Sequence, residues 1–432
     1  MLPFLAVAQD VASAPDYVSR AEYDKLKAEH EALKQEMEAL KKTVLQMANG
    51  TAPAAPAKEP APKAAAIEDK QVVTATTSPV VEAVSTEASS PLATHSFSIV
   101  GDAEVQFAKI AHQHGAFALA DFAPIFLFRA NENILFEAGF DFVLQNNAPG
   151  GAGNTTTVNL SFATLDYLLN DYVTVVAGDM LLPLGTYSER SAGWLNKIPD
   201  EPLPRSILPG NGVGVQLRGA IPIGQNGQSL TYSAFAVNGP GSADGSGNAD
   251  QFDADGNVGI TLAGDTANLH GGAGWGGRVA FFCPWKPLYD LEVGLSGMSS
   301  PWDNAGKRQY TAGVVDLALH LGPSVEVKGE YVNTWVGTDD AGTITPNGWW
   351  LQAGYKLAGL NLGLPYLNKL ELIGRYDTVD DGLGTRTNRG TVGSVYYVTN
   401  TLWLEGDYEF TSNHGPNPAP SNSLLFQISY GF

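Results

Sequence analysis

The chain ends on SNSLLFQISYGF (residues 421–432), a stretch in which apolar and polar side chains alternate. Successive side chains of a β-strand point to opposite faces of its sheet. Five apolar side chains therefore share one face of this segment: Leu424, Phe426, Ile428, Tyr430 and Phe432. Gln427 and Ser429 share the other face. The pattern predicts a final strand with an apolar outer face and a polar inner face, running to the C-terminus.

The same alternation recurs in three earlier segments, VEVKGEYV (325–332), LELIGRYD (370–377) and LWLEGDYEF (402–410). In each of them, charged side chains occupy the face opposite the leucines, valines and tyrosines. A soluble barrel would place the charges outside, whereas a membrane barrel places them in its lumen. We expect nine of these side chains to line a pore: Glu326, Lys328, Glu330, Glu371, Arg375, Asp377, Glu405, Asp407 and Glu409.

Sixteen strand candidates follow one another between residue 96 and the C-terminus, joined alternately by long and short connections. Up-and-down strands with long loops at one rim and short turns at the other are typical of outer-membrane barrels. Sixteen strands leave a water-filled bore, whereas eight would be filled by side chains. The predicted fold of residues 95–432 is thus an all-β, 16-stranded antiparallel transmembrane β-barrel.

The first 94 residues differ from this body in composition. Residues 1–16 contain a remnant of a secretory signal, in which Ala6-Val7-Ala8 is a small-x-small cleavage site. Residues 48–94, rich in Ala and Pro, predict a flexible linker. Between them, residues 17–47 carry apolar and mixed side chains at alternating spacings of three and four: Tyr23, Leu26, His30, Leu33, Met37, Leu40, Val44 and Met47.

This spacing is the a/d seam of a coiled coil, and Glu and Lys at its flanks suit a parallel homo-oligomer. The sequence therefore predicts an N-terminal α-helical coiled-coil stalk in the periplasm. A single amphipathic helix packed on its own domain is the alternative.

Composition excludes several functions. The net charge of −20 opposes nucleic-acid binding. The single cysteine, Cys283, excludes an internal disulfide framework. No nucleophile, phosphate-loop or zinc signature is present, so we expect no enzyme activity and no cofactor or metal. The acidic loop 240–272 leaves a divalent-cation site open, and the pair His112 and His114 lacks an evident third ligand.

The segment LLPLGTYSERSAGWLNKIPDEPLPRSILPGNGVGVQLRGA (181–220) resembles the phosphate-selective porin O and P-like family of bacterial outer-membrane porins. The resemblance implies a trimeric, sixteen-stranded porin whose third long loop, here about 186–210, folds into the bore as a constriction. It also implies that the terminal Tyr430 and Phe432 form a sorting signal read by the barrel-assembly machinery.

Charged side chains in and after this loop predict a mixed-charge eyelet: Glu189, Arg190, Lys197, Asp200, Glu201, Arg205 and Arg218. Pinning of the loop by ion pairs is the alternative role for Arg190 and Arg205. Phosphate-selective members carry many basic residues along the conduit, whereas residues 95–432 hold 16 Lys and Arg against 32 Asp and Glu. An acidic bore favours cations.

We therefore expect an outer-membrane diffusion porin that associates with itself, as a homotrimer, and with outer-membrane lipid. An anion- or phosphate-selective porin remains open. So does a structural tether whose coiled coil contacts the cell wall.

Overall fold

The computed structural model describes residues 95–146, 154–187, 195–224, 226–242, 260–261, 272–303, 306–338, 342–415 and 421–432. The predicted signal remnant (1–16), coiled coil (17–47) and linker (48–94) lie outside these residues, as does most of the acidic loop 240–272.

Sixteen strands form one sheet, and we number them in chain order. They are β1 (Ser96–Ile110), β2 (Ala116–Arg129), β3 (Ile134–Asn146), β4 (Asn154–Asn170), β5 (Val173–Leu181), β6 (Asn211–Ile223), β7 (Gln228–Asn238), β8 (Ala273–Lys286), β9 (Tyr289–Pro301), β10 (Gln309–Leu321), β11 (Val325–Gly337), β12 (Asn347–Lys356), β13 (Leu370–Asp380), β14 (Arg386–Tyr397), β15 (Leu402–His414) and β16 (Ser421–Gly431). A two-residue strand, Thr343–Ile344, also pairs with the end of β11.

The sheet closes on itself. Each strand pairs antiparallel with its neighbours in the chain, and β16 pairs with both β15 and β1. In the closing register, Glu104 lies opposite Ser429 and Val105 lies opposite Ile428. The predicted sixteen-stranded antiparallel barrel is therefore confirmed, with residues 421–431 as its closing strand.

The outer face of the barrel is apolar. On β16, Phe426, Ile428 and Tyr430 are about half exposed, whereas the intervening Gln427 and Ser429 are buried. The same contrast runs around the sheet: on β11, Tyr331 and Trp335 are exposed, while their neighbours Val332 and Thr334 are fully buried. An exposed apolar belt on strands whose polar side chains face inward suits a lipid environment and not water.

A separate pair of two-residue strands, Gly241–Ser242 and Ile260–Thr261, runs antiparallel. Short 3-10 helices lie at Leu203–Ile207, Leu357–Leu360 and Leu367–Lys369. No helix within the described ranges is long and apolar enough to cross a membrane.

The predicted alternation of long and short connections fails at one turn. Six of the seven connections on the short-turn rim have two to four residues, but the one between β12 and β13 spans residues 357–369. The sequence places strands at 347–358 and 367–379, so the structure lengthens the connection between them at both ends. On the other rim, residues 111–115 and 381–385 form connections shorter than that turn.

The interior is not polar throughout. An apolar cluster lies inside the barrel between the wall formed by β5, β7 and β9 to β11 and the two ends of the loop that follows β5. Leu182, Leu184 and Leu208 of that loop pack there against Val332, Tyr310 and their neighbours. Strand alternation alone had assigned apolar residues to lipid, but this part of the bore is filled with them.

Candidate functional site

The described parts of the connection between β5 and β6, residues 182–187 and 195–210, lie inside the barrel. The connection leaves the wall at β5 and returns at β6, yet these residues contact β9, β13 and β14. Those strands are three or more positions away around the sheet. The contacts are made on the face that carries the buried polar side chains, so the loop crosses the lumen. It is the third connection on the long-loop rim, as predicted for the constriction loop.

Glu330 on β11 holds the first part of this loop. One carboxylate oxygen accepts hydrogen bonds from the backbone N–H groups of Thr186 and Tyr187, both at 2.6 Å. Its other oxygen accepts the indole N–H of Trp350 on β12 at 3.1 Å. Three donors converge on a carboxylate that is only 7% exposed. The chain direction of the loop is thereby fixed where it enters the bore.

Lys197 holds the middle of the loop. Its ammonium pairs with Glu326 on β11 and, at 2.8 Å, with Glu371 on β13. Burial lowers the pKa of Lys197, but the two carboxylates outweigh it, so the pKa ends above its ordinary value. The cluster extends to neighbouring strands, because Glu326 also pairs with Lys328 and Glu371 accepts the hydroxyl of Tyr397 at 2.6 Å. Lys197 is therefore held against the barrel wall by ion pairs.

Arg389 on β14 holds the next part. Its guanidinium lies 3.1 Å from Asp377, 3.4 Å from Glu409 and 3.2 Å from Asp200 of the loop. It also donates to the backbone carbonyl of Glu201. Arg375, which pairs with Asp377 at 2.7 Å, donates to the same carbonyl at 3.5 Å. Two arginines and one loop turn thus form a compact charged cluster.

Sequence reasoning missed Arg389, the centre of this cluster. It stands in TNRGTV (387–392), where alternation is weak because small and polar residues occupy both faces. The register places Arg389 directly opposite Asp377, a residue already assigned to the polar face. A cation across from a predicted pore carboxylate is the signal that could have found it.

The loop returns to the wall through its prolines. Pro202 precedes the 3-10 helix Leu203–Ile207, whose last carbonyl accepts the hydroxyl of Tyr310 at 2.7 Å. Arg205 donates to the carbonyls of Leu208 and Pro209, within its own loop. Arg205 accordingly ties loop backbone to loop backbone.

Arg218 on β6 lies apart from the loop clusters. It pairs with Asp166 on β4 and remains half-exposed. It lines a cavity of about 420 Å³ with Gln216, Thr231 and Arg278. Arg278, also missed from the sequence, is held by Asp316 at 2.6 Å and Glu292 at 3.0 Å.

A second stretch of wall, on β15, β1 and β2, carries carboxylates that are not ion-paired with a described Lys or Arg. Glu104 on β1 lies directly opposite Asp121 on β2. Glu405 and Asp407 lie on β15. Both oxygens of Asp407 are buried without a hydrogen-bond partner. Within the described residues, no Lys or Arg forms an ion pair with any of these four carboxylates. We refer to these four residues as the acidic wall.

The remaining predicted residues are placed as follows. Glu189 and Arg190 lie outside the described residues. Tyr430 is exposed on the outer face and stacks with Phe432 at 6.3 Å, while the Phe432 backbone exchanges hydrogen bonds with Gly101. Among the described residues, no three His, Cys, Asp or Glu side chains form a group that could hold a metal ion.

Comparison with known proteins adds the fold class. No protein-family model matches the chain, and none of the curated proteins matches it in sequence. The anion-selective porin from Comamonas acidovorans aligns over 78% of this chain and 100% of its own, at 13% identity and a TM-score of 0.51. Salmonella typhi OmpF in complex with daunomycin aligns over 78% of this chain and 98% of its own, at 13% identity and a TM-score of 0.51. Outer-membrane expressed OmpT of Vibrio cholerae aligns over 81% of this chain and 100% of its own, at 8% identity and a TM-score of 0.50. At such identities the shared feature is the barrel fold.

Proposed function

We propose that this protein is an outer-membrane porin, a water-filled channel for passive diffusion of ions and small hydrophilic solutes. A closed barrel with an apolar outer belt supports the membrane location. The loop that crosses the lumen supports a constriction. A sixteen-stranded barrel has a bore too wide for its own side chains to fill, and this loop occupies part of that bore. The likeness to porin structures is consistent with this function.

The bore is proposed to prefer cations, with a mixed-charge eyelet at the loop. The observation that carries this preference is the contrast in pairing. Lys197, Arg375 and Arg389 are each engaged by carboxylates, whereas the acidic wall has no described cation at ion-pair distance. A solute ion therefore meets net negative charge, which raises the local concentration of cations.

Recording from the purified protein in a planar lipid bilayer tests both parts. Stepwise openings are expected, and their absence would contradict the channel. In a salt gradient the reversal potential should have the sign of cation selectivity. An anion-selective sign, strengthened by phosphate block, would instead support the alternative of an anion- or phosphate-selective porin of the family the sequence resembles.

Self-association, as a homotrimer, is the proposed quaternary state. Asp179 on β5 lies opposite Val213, an exposed residue of the outer face, so its carboxylate points away from the lumen. Asn211 donates to both of its oxygens at 3.1 Å, and no cation of the described residues pairs with it. A carboxylate on a lipid-facing wall is unfavourable, so a second copy covering it is favoured. Asp179→Leu should weaken the oligomer in light-scattering measurements, and an unchanged mass would contradict this interface.

The N-terminal segment is proposed to be a periplasmic coiled-coil stalk that reinforces the oligomer and reaches towards the cell wall. Deleting residues 1–94 should lower oligomer stability and any retention on isolated peptidoglycan, while the barrel still conducts. The terminal aromatic is proposed as the signal for the assembly machinery. Phe432→Ser should reduce the amount of folded barrel in the outer membrane, and an unchanged amount would rule out this role.

A further inference from the structure

The turn between β12 and β13, residues 357–369, is unusual for its rim. The other connections on that rim have two to four residues, and this one contains two 3-10 helices, Leu357–Leu360 and Leu367–Lys369. Short turns suffice to join antiparallel strands. The additional residues therefore serve something other than chain reversal.

The exposed part of this turn is apolar. Residues 359–366 are exposed without interruption, and they include four large apolar side chains. These are Leu360 and Leu362, each 51% exposed, Leu364 at 40% and Tyr366 at 58%. Water would not favour such a patch on a free loop.

The backbone of the turn is nevertheless held in place. Lys356 donates its N–H to the carbonyl of Ser324 at 2.8 Å, and Leu367 donates to Leu364 at 3.0 Å. The ammonium of Lys369 donates to the carbonyl of Val398 at 2.9 Å in the adjacent turn. Gly359 approaches Ser324 so closely that a Cβ would lie 2.6 Å from its hydroxyl. The leucines are exposed because the structure presents them outward, and not because the turn lacks contacts.

The charge of this region is the reverse of the rest of the chain. Between residues 353 and 370 there is no Asp or Glu, and Lys369 follows the leucines. Lys356 precedes them but faces the lumen, where its ammonium lies 5.0 Å from the centroid of the Tyr397 ring. In a protein of net charge −20, this local absence of acid leaves the apolar patch bordered by a cation, Lys369, and by no carboxylate of the same segment. Apolar side chains bordered by a lysine suit a surface that offers hydrocarbon next to phosphate.

The patch also continues the outer face of the barrel. On the two strands that the turn connects, Leu351 (46%) and Leu372 (48%) point outward. Tyr366 adds an aromatic ring at the rim, where tyrosines are enriched at membrane–water interfaces. A protein partner would need specific polar pairing around the leucines, whereas a lipid surface needs only what the turn presents.

We propose that residues 359–366 form a foot that lies on the bilayer at this rim, with the leucines among acyl chains and Lys369 at the lipid phosphates. The inference rests on the membrane location given under the proposed function. It assigns to this turn a lipid-binding role separate from the channel, and phospholipid of the adjacent leaflet is the ligand.

Site-specific fluorescence tests the foot in the full-length protein. In a Cys283→Ser background, Leu362→Cys carries an environment-sensitive dye, and the protein is reconstituted in vesicles of phosphatidylethanolamine and phosphatidylglycerol. Leu372→Cys on the outer wall is the membrane control. Glu132→Cys, exposed in a short turn of the same rim, is the water control. The dye at 362 should emit at short wavelength and be quenched by lipids with spin labels on their acyl chains, as at 372.

The outcomes separate the two proposals. If the dye at 372 is quenched but the dye at 362 behaves like that at 132, the foot is wrong and the membrane barrel stands. If neither 362 nor 372 is quenched, the membrane location itself fails. Protection of the dye at 362 in whole cells, without quenching in vesicles, would identify a protein partner and overturn the lipid assignment. Leu360→Ser combined with Leu364→Ser should return the dye at 362 to a water-like emission.

Discussion

The wall under the loop and the acidic wall differ in how their charges are compensated. On β11, β13 and β14, carboxylates and arginines are buried and paired with each other or with the loop. On β1, β2 and β15, Glu104, Asp121, Glu405 and Asp407 have no ion pair among the described residues. Charge on the first wall therefore positions the loop, whereas on the second wall the half-buried Glu104 and Asp121 face the lumen without a cation beside them.

The largest expected effect comes from the cation at the centre of the loop-side cluster. Arg389→Leu leaves Asp377, Glu409 and Asp200 without their shared partner. Removing one member of a buried ion pair costs about 3–5 kcal/mol in the free energy of unfolding. Urea-induced unfolding of the reconstituted barrel measures it.

Arg386→Leu on the same strand is the matched control. Arg386 pairs with Asp380 at 3.0 Å but is 59% exposed, so its removal should cost about 0–1 kcal/mol. Equal losses for the two variants would contradict the distinction between a positioning cluster and an exposed pair.

A smaller stability effect with a clear channel readout is expected at Glu330. Glu330→Leu deprives the N–H groups of Thr186 and Tyr187, and the Trp350 indole, of their acceptor. Each buried donor left unsatisfied costs about 1–3 kcal/mol. The loop segment at Thr186 and Tyr187 is then no longer bonded to the wall and can move into the bore. Single-channel conductance should therefore change and fluctuate more.

Two further substitutions serve as an intermediate case and a control for Glu330→Leu. Glu330→Gln keeps an acceptor oxygen and should lie between the wild type and Glu330→Leu. Glu132→Gln, in an exposed turn, should change nothing. Steady conductance of wild-type size in Glu330→Leu would mean that this carboxylate does not hold the loop.

Neutralising the acidic wall should alter selectivity more than stability. Glu104→Gln combined with Asp121→Asn removes two half-buried carboxylates that form no ion pair among the described residues. One unit charge acting over about 10 Å of water contributes about 0.4 kcal/mol, roughly a twofold effect on local cation concentration. The reversal potential in a salt gradient should move towards zero.

Asp380→Asn, on the outer face of β13, is the control for this pair of substitutions and should leave the reversal potential unchanged. An unaltered preference in the double variant would mean that selectivity arises at the loop, and the contrast between the walls would lose its functional meaning.

Sequence alone predicted the barrel well because alternation is a local property. It places strands at 96–110, 211–223 and 422–432; β1 and β6 have these bounds, and β16 differs by one position at each end. The connection after β12 was placed at 359–366, and the structure extends it to 357–369. The loop that enters the bore was located through its prolines and its resemblance to known porins.

The pairing of charges could not be predicted. Lys197 and Glu371 are 174 positions apart, and Arg389 and Asp200 are 189 apart. Only the path of the loop across the lumen brings them together, and no periodicity encodes that path. Sequence analysis treated pore-facing charges as solvated, whereas Asp377 and Glu371 are almost completely buried.

Ionic strength separates the two walls without any substitution, and its expected effect is the smallest. The Debye length falls from about 10 Å at 0.1 M salt to about 3 Å at 1 M, so charges that act through water lose their reach. Cation preference should therefore decline with salt in the wild type and decline less in the Glu104→Gln, Asp121→Asn variant. The buried pairs of Arg389 are screened much less, so the stability difference between Arg389→Leu and the wild type should persist at 1 M. If that difference vanished while selectivity stayed constant, the roles assigned to the two walls would be reversed.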